Sequence, residues 1–121
     1  MNIGITTYGV LNGHPKAIPT HYLDARLVHK GENDQDFGPL RGTDTAVREA
    51  LQAYPSWNML CDYAISVIDY YRSLGRKHIV LHVFCAHGHH RSVALAEELR
   101  EAFPSEICIT HRDIYVERKD I

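Results

Sequence analysis

The sequence predicts an α/β domain with a small, mostly parallel sheet and flanking helices. Three observations carry this. Toward the C-terminus, strand-like runs alternate with helix-like runs, the pattern of parallel βαβ units. The run HIVLHVF (78–84) passes through a short loop straight into an alanine- and leucine-rich helix, VALAEEL. The chain has 121 residues, 45% of them hydrophobic and 23% charged, which suits one domain with its own core, 1–121.

The elements follow in order. Residues 2–8 (NIGITTY) are apolar and β-branched, and Gly9, Gly13 and Pro15 then break the chain. Residues 21–28 (HYLDARLV) read as a second strand. Loop residues crowd 30–43: Gly31, Asn33, Asp34, Gly38, Pro39 and Gly42. Thr43 or Asp44 is placed to cap a helix running to about Tyr54, and Pro55 with Ser56 restarts the chain. Trp57, Leu60, Cys61, Ala64, Ile65, Val67, Ile68 and Tyr71 then keep helical spacing to Leu74, and Gly75 suits the C-terminal cap. In the strand 78–84, Ile79, Leu81 and Val83 face one way and His78, Val80, His82 and Phe84 the other. A helix from Ser92 to about Phe103 ends at Pro104, residues 106–110 (EICIT) form a last strand, and HRDIYVERKDI is a charged tail expected to be solvated.

Composition excludes several classes. The formal net charge of -2 gives no global basic field for nucleic acid. Three widely spaced cysteines, Cys61, Cys85 and Cys108, make a poor disulfide framework, so a reducing, cytoplasmic setting is expected. The start, MNIGITTYGV, lacks the basic region of a signal peptide, and no apolar run reaches the roughly 18 residues of a membrane span.

The nine histidines need an explanation, and three of them sit in FCAHGHHRS, residues 84–92. The order strand, loop, helix puts this segment where open helix N–H groups and the macrodipole favour an anion. Gly88 lets the backbone curl, Arg91 offers a bidentate fork, and Ser92 can cap the helix or bond a phosphate oxygen. His87, His89 and His90 are donors that charge near neutral pH. The expected anion-binding set is therefore His87, Gly88, His89, His90, Arg91 and Ser92. No metal and no cofactor is expected, since the His/Cys spacing (His82, Cys85, His87, His89, His90, His111) forms no pair of clips. Cys85 and Arg91 also fit the C-x5-R-[ST] loop of cysteine-dependent phosphatases, for which Asp44 or Asp113 would have to be the general acid. Phe84 stands where those enzymes usually carry histidine. Asp24 and Arg26, read as one face of a strand, form either a salt bridge or part of the site. Trp57, Tyr63, Tyr70 and Tyr71 read as core or subunit packing, and His111 as a strand end able to reach the same crevice.

Taken together, the residues resemble the C-terminal domain of the RapZ family, the RNase adapter proteins formerly called nucleotide-binding proteins. The family loop reads C-T-G-G-[QK]-H-R-S, and Cys85, Gly88, His90, Arg91 and Ser92 match it. VALAEEL, HRD (111–113), DAR (24–26) and PLRGTD (39–44) match or approach further family segments. The resemblance implies an α/β domain that binds an RNA and senses a phosphorylated amino sugar, and it adds Asp24 and Arg26 to the ligand set. It also implies a separate ATP-binding or nuclease partner, because the family's Walker-type loop, G-x-x-x-x-G-K-[ST], does not occur here. His87 departs from a family glycine, and His89 from an amide or lysine. Arg112, Arg118 and Lys119 are the expected RNA contacts, in a tail balanced by Asp113, Glu117 and Asp120. A homo-oligomer presenting several tails would multiply such weak contacts.

Overall fold

The computed structural model describes residues 1–28 and 37–117. Four strands form one sheet: β1 (Asn2–Gly9), β2 (His21–Asp24), β3 (His78–Cys85) and β4 (Ile107–His111). Their order is β2-β3-β1-β4, and every pairing is parallel. The helices are α1 (Thr45–Gln52), α2 (Pro55–Ser73) and α3 (Arg91–Ala102).

Topology decides which face the helices cover. The connections β2→β3 and β3→β4 step across the sheet in the same direction, whereas β1→β2 steps back. Right-handed crossovers therefore put α1, α2 and α3 on one face and the 10–20 connection on the other. Burial agrees. Ile3, Ile5, Leu23, Ile79, Leu81 and Val83 share one core with Val47, Leu51, Trp57, Leu60, Ala64, Ile68, Leu95 and Leu99. On the opposite face, the ring of His14 packs edge-on against Tyr8, Tyr22 and Phe84.

Local chemistry sets the element ends. Pro55 opens α2, where its missing N–H costs nothing. Gly75 closes it at φ 77°, with its N–H donated to the Arg72 carbonyl. Trp57 and Ile68 are buried as their spacing predicts, while Tyr63 and Tyr70 stand exposed.

Three expectations are corrected. The second strand stops at Asp24, because the Asp24 carboxylate accepts the Arg26 N–H and closes a 3₁₀ turn over Ala25–Leu27. Asp44 begins α1 by position, but its carboxylate turns back to accept the Arg41 N–H and caps nothing. The tail is not simply solvated: Asp113 and Ile114 are buried, and the Asp113 carboxylate accepts the Gly9 N–H at 2.8 Å.

Candidate functional site

β3 delivers Cys85 to the carboxyl end of the sheet, and α3 starts six residues later. The loop between them is held by backbone fit. Gly88 has φ 79°, and a Cβ there would run into the nitrogen of Gly9 and the carbonyl carbon of Tyr8. A Cβ on Gly9 would likewise strike His87. These two glycines let β1 and the loop touch through bare backbone. Gly42 does the same from the other side, donating its N–H to the His89 carbonyl at 2.8 Å and leaving no room for a Cβ against α3.

Beside this loop lies a cavity of about 370 Å³, with walls that include Phe37, Arg41, Cys85, His87, His89, His90, Arg91 and Glu117. Arg26, Arg48, Arg72, Arg100 and Arg112 each pair with a carboxylate. Among the described residues, Arg41, Arg76 and Arg91 have no carboxylate partner and donate only to carbonyls, and of these Arg41 and Arg91 line this cavity. Arg91 Nη1 donates to Val28 O at 3.2 Å, and Arg41 Nε to Ile114 O at 2.6 Å. The exposed Glu117 is the acidic residue on the described walls. Among the described residues, the N–H groups of Gly88, His89, Arg91 and Ser92 also meet no acceptor. Guanidinium groups and open N–H groups at the start of a helix are the ingredients of an oxyanion site.

The predicted site residues separate into groups. His87, His89, His90 and Arg91 line the cavity, whereas Gly88 shapes the loop from behind. Ser92 is fully buried in the first turn of α3, where its hydroxyl lies 3.2 Å from Cys85 Sγ, so it neither caps the helix nor faces the cavity. Asp24 and Arg26 pair with each other at 2.8 Å and stay off the walls. Those bonds from Arg26 hold the Asp24 carboxyl below its ordinary range, and the Arg26 guanidinium sits 5.3 Å from the Phe84 ring. Cys85 lines the cavity, but neither Asp44 nor Asp113 does. His111 does not reach it, because β4 pairs with β1 and not with β3; its ring bonds Thr7 and Glu97 instead. Among the described residues, no group of three or more His, Cys, Asp or Glu side chains is placed to hold a metal ion.

Arg112 is committed elsewhere. It makes two bonds to the Asp113 carboxylate, donates to Gly13 O at 2.7 Å and covers the Tyr8 ring. Burial alone would raise the Asp113 carboxyl, but the Arg112 and Gly9 bonds outweigh it and hold it low. Tyr8 is pushed up to about 12 by burial and by Tyr22. Arg118 and Lys119 lie outside the described residues. Sequence reasoning placed Arg41 only within the family-like segment PLRGTD and did not assign Phe37 or Glu117 to the site. The signal for Arg41 was its place in PLRGTD, one residue before the glycine that lets this segment lie against α3.

A two-layer, all-parallel α/β domain with a cationic cavity at its strand ends is what these features define. The family model for the RapZ C-terminal domain matches residues 1–115, and the chain belongs to that family. It is similar to a protein named nucleotide-binding protein in Rubrobacter xylanophilus, 30% identical over 125 residues, which cover 100% of this chain and 41% of the relative. A nucleotide-binding protein of Corynebacterium jeikeium is 30% identical, covering 94% of this chain and 41% of the relative. One from Acidothermus cellulolyticus is 31% identical, covering 91% and 39%. The chain thus spans about two fifths of the length of the curated relatives it matches. No helix among the described residues is long and apolar enough to cross a membrane.

Proposed function

We propose that this chain is a regulatory binding domain that recognises a phosphorylated ligand at the 85–92 loop. The observation that carries the reading is the cavity whose two arginines, Arg41 and Arg91, lack carboxylate partners among the described residues, beside open N–H groups at the start of α3. A phosphomonoester fits that chemistry, and an amino-sugar phosphate is the ligand that the family resemblance favours. The relatives' name, nucleotide-binding protein, is consistent with a phosphate-bearing ligand. Recognition ranks above turnover because the acid candidates Asp44 and Asp113 stand off the cavity walls. The cysteine-phosphatase reading keeps one observation in its favour, the 3.2 Å contact between Cys85 Sγ and Ser92 Oγ beneath the loop.

Structured RNA is the second partner we propose. Arg112 is already neutralised by Asp113, so contact by a single chain would be weak. Several copies in a homo-oligomer would add such contacts, and a separate ATP-binding or nuclease protein would complete the function in the cytoplasm.

Calorimetric titration of inorganic phosphate and an amino-sugar phosphate tests the main reading. Arg91→Ala should weaken binding by at least about tenfold, the worth of a charge-assisted hydrogen bond. Equal heats for both proteins would overturn it. Turnover of an aryl phosphate that is lost in Cys85→Ser would promote the phosphatase reading. Salt-independent or absent retardation of a structured RNA would remove the RNA reading.

A further inference from the structure

His89 has one ring nitrogen already committed. Its Nε2 lies 2.6 Å from the carbonyl oxygen of Val116. A carbonyl oxygen only accepts, so Nε2 carries a proton whether the ring is neutral or charged. Nδ1 is therefore the uncommitted position. It is a bare lone pair in the neutral ring and an N–H donor in the cation.

The surroundings leave Nδ1 in contact with open space. His89 is 6% exposed, yet it lines the cavity. Among the described residues, the one sealed and partnerless side-chain nitrogen is His82 Nδ1, so Nδ1 of His89 is not sealed off. Among the described residues, the charged and titratable groups around it come from its own loop and from three other segments. His87, His90 and Arg91 share its loop, with ring centroids of His87 and His90 at 6.1 and 5.9 Å. Cys85 comes from β3, Arg41 from the segment before α1, and Glu117 from the C-terminal segment. Arg41 and Arg91 put positive charge on this wall, and Glu117 puts negative charge there. A bound divalent anion adds negative charge. It repels the lone pair of a neutral His89 and attracts the N–H of a charged one.

Building on the anion-site reading above, we infer that His89 is a proton-linked ligand residue: capture of a divalent oxyanion protonates its Nδ1, so affinity for that class of ligand rises as pH falls. The site then makes one of its positive charges only when the ligand is present. By reciprocity, the anion must also hold the proton on His89 to higher pH.

Sulfate is the probe, because it stays divalent throughout the range and any pH dependence belongs to the protein. The experiment is calorimetric titration of the full chain with sulfate at about pH 5.5, 6.5 and 8, spanning the ordinary histidine range. Each titration is repeated in two buffers of different ionisation enthalpy to count protons taken up. Wild type should bind more tightly at the lowest pH by about fivefold or more, the lower end of ordinary coupling between linked sites. It should take up protons, and sulfate should shift the NMR titration of the His89 ring upward. His89→Gln, a neutral donor, and His89→Lys, a permanent cation, should both lose the slope, with the lysine variant the tighter binder at high pH. Sulfate binding that is independent of pH, or a slope retained in His89→Gln, overturns the linkage and leaves the anion site standing. No sulfate binding at any pH overturns both.

Discussion

Arg91 and Arg112 invite comparison. Both lie near the carboxyl end of the central strands, both carry a full charge, and both match family segments. Arg112 grips the Asp113 carboxylate through two bonds and lies over Tyr8, tying the tail to β1. Arg91 faces a cavity with one carbonyl contact and, among the described residues, no carboxylate. One arginine is neutralised within the fold, and the other has no carboxylate beside it among the described residues. Counting positive residues along the sequence treats the two alike. What distinguishes them is whether a counter-charge has been built beside each.

The contrast breaks most severely at the glycine that holds the loop in place. Gly88→Ala should cost about 3 kcal/mol or more, from a left-handed backbone angle plus a collision with Gly9 and Tyr8. Gly75→Ala, with a similar φ but open space around it, should cost only about 1 kcal/mol. Urea denaturation of both variants checks the difference, and equal costs would mean that the contact with β1 does not matter. Next comes the tail. Asp113→Ala should destabilise by about 2 kcal/mol, since it strands the buried Gly9 N–H and unpairs Arg112. Because the Asp113 carboxyl is held low in the fold, its contribution is present above about pH 4 and is lost as pH falls through its folded value.

A smaller effect is expected on the helix-free face. His82 is buried, with Nδ1 meeting no partner among the described residues, and burial, His14 and Arg112 all lower its affinity for a proton. The unfolded chain takes up that proton near pH 6.5, earlier than the fold does. Stability should therefore be complete above about pH 6.5 and decline below it. His82→Leu should flatten that decline in denaturation curves measured across pH. The smallest effect belongs to Arg112 itself. Arg112→Ala should change phosphate affinity less than about twofold, because its charge is already matched within the fold.

Much of this architecture was legible from periodicity. The buried run Ile79, Leu81, Val83 and the helical spacing from Trp57 to Ile68 place β3 and α2 where the structure has them. Residues 25–28 were misread as strand because alternation cannot see that a carboxylate will accept an N–H two residues on and close a turn, whereas the Asp24–Arg26 salt bridge was one of the two readings offered. The strand–loop–helix junction at 85–92 was legible, but the Arg41 and Phe37 that line the same cavity come from a distant segment, delivered by the bare backbone of Gly42. The burial of Asp113 was invisible because it depends on β1 lying between β3 and β4, a fact of strand order and not of composition.

The central claim is that Arg41 and Arg91, which line the 85–92 cavity without a carboxylate partner among the described residues, form an anion site there. A sulfate titration followed by amide and guanidinium NMR tests it most directly. The account predicts saturable shifts at the N–H groups of His89 and Arg91 and at the side chains of Arg91 and Arg41, with Arg112 unmoved. Shifts confined to Arg112 or to the Arg72–Lys77 end of the domain, or no saturable shift at the loop, would contradict it.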